Sequence, residues 1–208
     1  MEMNFEEFLK QKYGLNEPIY VEELQFEDYS RSWIFKELKQ LVDAGKLKRF
    51  DMGVYYFPIK MSFGDSRIDP RKVVQKRFLS DGVDVYGYIS GLSLMNAARL
   101  STQCPNLLEV VTNKEASRVR DVRIGSQRVR ARKSRTTVTK ENVSALQFLE
   151  LMNNIEPKFM DETERFMLKR YVDESGVSRE QVSQYAGFFP AKAMKNFVES
   201  GAAYELAY

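Results

Sequence analysis

Not one of the 208 residues is histidine, and no other absence narrows the chemistry as much. It removes the commonest general base, the commonest zinc ligand and every catalytic triad built on an imidazole. The single cysteine, Cys104, rules out an internal disulfide framework, suits a reducing cytoplasm and leaves a structural zinc site without its usual ligands. Set between Gln103 and Pro105 with no imidazole to activate it, Cys104 is expected to be a small buried apolar residue rather than a reactive thiol. No run of about 18 apolar residues occurs, so no membrane-spanning segment is expected. The acidic, amphipathic start MEMNFEEFLKQ is unlike a secretory signal, and the expected location is the cytoplasm. Also missing are a phosphate-cradling GxxxxGK[ST], a GxGxxG after a strand and a GxSxG elbow. Glu109 to Lys114 lacks the close acidic-x-Lys spacing of metal-dependent nucleases, and Gly125-Ser126 is not followed by an Asp-x-Asp pair. An enzyme is therefore not expected, nor a cofactor or metal.

What the chain does have is unevenly placed charge. The net charge is +3, yet residues 1–28 hold two basic and eight acidic side chains, or −6. Residues 29–60 hold seven basic and three acidic, or +4, and residues 114–140 hold ten basic and two acidic, or +8. Residues 141–208 return to −4, with seven basic and eleven acidic. Two separate positive blocks are the distribution of a localised anion-binding surface.

The first block contains SRSWIFKELKQLVDAGKLKRFDMGVYYFP (30–58). Ser30 is a helix N-cap, and Ile34, Leu38, Leu41 and Val42 recur at i, i+4, i+7, i+8 as one buried stripe bordered by Phe35. Gly45 stops the helix, and two short strands follow across Asp51-Met52-Gly53. Before it, Asn4 caps a first helix that Gly14 ends, residues 18–20 are extended and 21–24 form a short helical turn. Helix, glycine, basic strand, turn and aromatic strand in that order predict a winged helix-turn-helix. Its recognition helix would offer Ser30, Arg31, Ser32, Lys36 and Lys39 to the major groove, and its wing Lys48 and Arg49 to the backbone. The alternative is a solvated amphipathic helix in a winged fold used only for protein contacts. Trp33 is read as a packing residue.

Beyond residue 60 the pattern predicts a loop that becomes a helix holding Val73, Val74 and Phe78. A strand at 83–86, a helix at 90–98 and a strand at 107–112 follow. Strands at 119–124 and 127–133 meet at Gly125-Ser126, a two-residue hairpin turn. In that hairpin Val122, Ile124, Val129 and Ala131 share the buried face. Arg123, Arg128, Arg130 and Arg132 gather on the other, with Asp121 as local relief. Three explanations stay open for this patch: a charge-guarded edge, a nucleic-acid contact, or a protein partner. Helices at about 141–153, 161–174, 178–186 and 190–200 complete an α+β chain. It is divided as a winged helix-turn-helix (1–60), a mixed α/β C-terminal domain with the Arg-rich hairpin (61–156), and an extension of short helices (157–208).

Three motifs, in order, carry a family resemblance: Gly53-Val54-Tyr55, the run from Gly91 through Leu100-Ser101-Thr102-Gln103-Cys104-Pro105, and RVRDVRIGSQRVRAR (118–132). Over residues 5–155 the chain resembles the antitoxins of AbiE-type (type IV) abortive-infection toxin–antitoxin systems. It departs from them at Arg99, where the family often has glycine, and at Cys104, where it often has valine. The resemblance implies an autorepressor whose winged helix binds inverted repeats of double-stranded DNA in its own promoter, and whose C-terminal part opposes a nucleotidyltransferase-type toxin, directly or indirectly. The competing expectation is an interaction protein that neutralises a toxin by contact, with DNA binding secondary.

Overall fold

The computed structural model describes residues 4–26, 29–103 and 105–206; the expectation for Cys104 therefore lies outside the described residues. The chain is a mixed α+β protein whose contacts separate two units. The first takes the described residues up to Val74 together with Ile124–Ser126, and the second takes Gln75–Arg123 and the described residues from Gln127 onward.

In the first unit, Asn4 caps α1 (Phe5–Tyr13) by accepting the Glu7 N–H, and Gly14 ends it at φ 79°. Strand β1 (Ile19–Tyr20) runs into a 3-10 turn, Val21–Glu23, and α2 (Arg31–Asp43) follows. Strands β2 (Lys48–Asp51) and β3 (Val54–Tyr56) close an antiparallel sheet in the order β1-β3-β2. Arg49 pairs with Tyr55 and Asp51 with Val54, so one residue bulges between them and bends the end of the hairpin. Phe5, Leu9, Ile19, Ile34, Leu38, Leu47 and Phe57 form the core. Burying a side chain such as Leu38 contributes about 1.5–3 kcal/mol over leaving it in water. A second small hairpin, β4 (Lys60–Met61) with β5 (Gly64–Asp65), occupies what the sequence suggested was loop. Helix α3 (Pro70–Val74) completes the unit.

The second unit begins with a π-helical turn, Gln75–Leu79. The strand expected at 83–86 is a correction. Asp81 accepts the N–H groups of Val83 and Asp84, turning the chain, and Val83 is 82% exposed. The strand is instead β6 (Gly87–Ser90), where an added Cβ on Gly87 would lie 2.1 Å from the Phe78 carbonyl oxygen. Then come α4 (Gly91–Ala97), β7 (Leu107–Thr112), β8 (Val119–Ile124) and β9 (Gln127–Lys133). The sheet order is β6-β7-β9-β8, with β6 and β7 antiparallel and β7 and β9 parallel. Gly125 adopts φ 56°, as the first central position of a type II′ turn requires.

Helix α5 (Val143–Asn154) is buried along most of its length, from Ala145 to Met152, which marks it as the central helix of this unit. Packed around it are α6 (Glu162–Ser175), α7 (Arg179–Ala186) and α8 (Ala191–Glu199), and α9 (Ala202–Glu205) packs on α6 and α8. Capping boxes at Asp161/Glu164 and Ser178/Gln181 set the starts of α6 and α7. Leu168, Val172, Val182, Ala193 and Phe197 from these helices share one core with Leu146, Phe148 and Leu149 of α5. Among the described residues no helix is long and apolar enough to cross a membrane.

Candidate nucleic-acid interface

Helix α2 is fixed at both levels that sequence controls. The Ser30 hydroxyl accepts the Trp33 N–H at 3.2 Å, which starts the helix at Arg31. Ile34 and Leu38, 2% and 0% exposed, then pin one side into the core. Trp33 is taken up by packing: it meets Phe5 edge-on at 5.2 Å and stacks on Tyr29 at 4.0 Å. Pinning that side leaves Arg31, Ser32, Lys36, Lys39 and Gln40 exposed together. Phe35, expected to border the buried stripe, is 47% exposed and adds an apolar edge beside these side chains. The first turn carries no acidic residue, so the positive end of the helix dipole and Arg31 act in the same sense on an approaching anion.

The hairpin after α2 is less freely cationic than its sequence suggests. Lys48 Nζ lies 3.1 Å from the Asp65 carboxylate, which also takes Lys60 at 2.7 Å. Hydrogen bonds from Lys60 and then Lys48 hold the Asp65 carboxyl below its usual value. Arg49 is exposed, and its Nε donates to the Asp51 carbonyl at 3.3 Å. Asp65 and Lys60 escape notice in the sequence because they reach Lys48 only through the β4–β5 hairpin, whose two-residue strands carry no periodicity.

The arginines of β8 and β9, in the second unit, have diverging environments. Ile124, Val129 and Ala131 are buried, as the alternation requires. Arg123 and Arg128 are exposed. Arg130 grips Asp121 through Nε and Nη2 at 2.8 and 2.9 Å, and Asp121's carboxyl is held low chiefly by that contact. Arg132 turns inward: its Nη2 donates to Ser90 Oγ and to the carboxylate of Glu150 on α5, which is 1% exposed. Arginines that read alike along the strands thus part ways: Arg128 is exposed, Arg130 is held in a surface ion pair and Arg132 is committed to the interior. Glu150 could not be found from the sequence, since it lies on the apolar face of α5.

Among the described residues, no group of three or more carboxylate or thiol side chains converges as a metal site would need. In the comparisons with known proteins, no family model matches the chain and no curated protein matches it. The family likeness rests on the short motifs themselves.

Proposed function

We propose that the chain is a DNA-binding transcriptional repressor whose first unit is a winged helix-turn-helix and which acts as the antitoxin of an AbiE-like system. The observation that carries the DNA-binding reading is the exposed group Arg31, Ser32, Lys36 and Lys39 on a helix whose other side is anchored by Ile34 and Leu38. Short polar and long basic side chains on a pinned helix are what major-groove reading needs. The order α1-β1-turn-α2-β2-β3 with strands arranged β1-β3-β2 supports the winged-helix reading. In it α2 contacts bases, with Phe35 available to a thymine methyl, and Lys48 and Arg49 contact phosphates. Arg123 and Arg128 add phosphate contacts from the second basic element. Arg130 contributes only by exchanging Asp121 for a phosphate, and Arg132 does not take part. The antitoxin role rests on the three motifs.

The test is a gel-shift titration against the chain's own upstream region at several salt concentrations. Arg31→Ala with Lys36→Ala lowers affinity at every salt concentration, by about tenfold or more if either side chain makes a bidentate or phosphate contact. Arg128→Ala leaves sequence preference intact and reduces the slope of log affinity against log salt by about one contact's worth, ~0.9. Unchanged operator affinity in the double variant defeats the recognition-helix assignment. A toxin neutralised by contact is the competing reading, and Phe159, Phe166 and Tyr204, 79%, 63% and 79% exposed, favour it as contact residues. Co-purification with the neighbouring gene's product distinguishes the two.

A further inference from the structure

The sheet of the second unit runs β6-β7-β9-β8, so β8 (Val119–Ile124) is an edge with no strand on its outer side among the described residues. The Lys133 N–H donates to the Arg118 carbonyl at 3.4 Å, which fixes the phase of the β8–β9 ladder. Along an antiparallel strand, residues that bond to one side alternate with residues that bond to the other. Arg120, Val122 and Ile124, in phase with Arg118, therefore turn their backbone groups toward β9. Val119, Asp121 and Arg123 turn theirs outward, and all three side chains are exposed.

A six-residue edge is a pairing hazard that proteins ordinarily blunt with charge. The charges of β8 do not blunt it against a second copy. Antiparallel pairing about a two-fold axis through Val122 sets Asp121 opposite Arg123 of the other copy, twice. It also sets outward-bonding residues against outward-bonding residues, as a ladder demands, and keeps each face of the sheet continuous. Moving the axis to Arg120, Asp121 or Arg123 would set that charge against its own copy, and a one-residue slip would oppose groups that bond in different directions. The apolar side favours the same register. Ile124 and Val129, on the buried face of the hairpin, are 1% and 0% exposed, whereas Val122 on that face is only half-buried. At the axis Val122 meets its own copy as a close, non-hydrogen-bonded pair and carries the apolar row across the edge. Asp121 already accepts two hydrogen bonds from Arg130, and a carboxylate has lone pairs for a second guanidinium.

We propose that β8 pairs antiparallel with β8 of a second copy of this chain, giving a two-fold dimer that joins the two four-stranded sheets into one. The backbone N–H and C=O groups of Asp121 and Arg123 in each copy bond those of Arg123 and Asp121 in the other. Two Asp121–Arg123 pairs then flank the Val122 contact. The charges that deter a strand of different sequence thus select this partner and this register. Such a dimer is a property of the second unit and does not rest on α2 reading DNA.

The experiment is sedimentation equilibrium of the full chain without nucleic acid. The parent shows a reversible monomer–dimer equilibrium, and Asp121→Lys, which sets a lysine against Arg123 twice, weakens it about tenfold or more. Circular dichroism of that variant stays native, since within one copy it removes only a surface ion pair. In a Cys104→Ser background, Val122→Cys cross-links two copies under mild oxidation, because the paired Cα atoms at the axis lie about 4.5 Å apart. Val119→Cys, about 20 Å from its counterpart, does not. A chain that stays monomeric up to about 0.5 mM overturns the proposal. So does a dimer that Asp121→Lys leaves intact or that Val122→Cys fails to cross-link. A monomer whose edge is taken by the neighbouring gene's product and released by Asp121→Lys also overturns it, and would assign β8 to a different protein.

Discussion

Arg132 and Arg128 differ by four residues in one strand and by everything in their surroundings. Arg132 neutralises a carboxylate that is 1% exposed, so Arg132→Ala leaves a buried unpaired charge and is expected to cost about 3 kcal/mol in urea unfolding. Replacing the pair together, Arg132→Met with Glu150→Leu, recovers most of that loss, because an apolar pair of similar volume carries no desolvation penalty. If the single substitution is as mild as Arg128→Ala, within about 0.5 kcal/mol of the parent, the interior pairing is refuted. Arg99 carries a different strain. It sits at φ 59°, a left-handed conformation that costs a side chain about 1–2 kcal/mol and glycine little. Arg99→Gly should therefore raise stability by about 0.5–1 kcal/mol, the unfolded-state entropy of glycine offsetting part of the gain; a loss on denaturant titration contradicts this. The resemblance placed glycine at this position, but its reason is a dihedral angle that spacing does not reveal.

Among the elements, α2 was legible almost residue by residue, because a serine cap, an i, i+4, i+7 stripe and a glycine stop are all local. The Gly125-Ser126 hairpin was legible for the same reason. The strand misplaced at 83–86 shows the limit: Asp81 side-chain bonds to the backbone outcompeted the β-propensity of Val83 and Val85. The β4–β5 hairpin had no readable pattern, yet it tempers the basic β2–β3 hairpin by placing Asp65 against Lys48. Asp65→Asn removes one negative charge and releases Lys48 and Lys60, so under the proposed DNA-binding role affinity for duplex DNA should rise several-fold at low salt and converge with the parent at high salt. A fall in affinity, or no change, would mean that Lys48 does not face the nucleic acid.

For the molecule as a whole, the consequential feature is that residues 157–208 share their core with α5. Asn196 on α8 donates to the Met152 and Ile155 carbonyls, both at 2.8 Å, at the buried end of that helix. Removing 157–208 uncovers Leu146, Phe148 and Leu149 and orphans those carbonyls. The truncated chain is accordingly expected to lose cooperative unfolding of the second unit and to bind a hydrophobic dye. A sharp, parent-like transition would show those helices to be dispensable. By itself the sequence determined what depends on near neighbours: helix caps and stripes, the hairpin turn, the two basic blocks, and the chemistry excluded by having no histidine. Only the tertiary structure decided which charges remain available, since Asp65, Asp121 and Glu150 reach their partners through strand pairing and helix packing. That is why a +8 segment resolves into exposed arginines, surface ion pairs and one arginine bound to the buried carboxylate of Glu150, a division no linear pattern encodes.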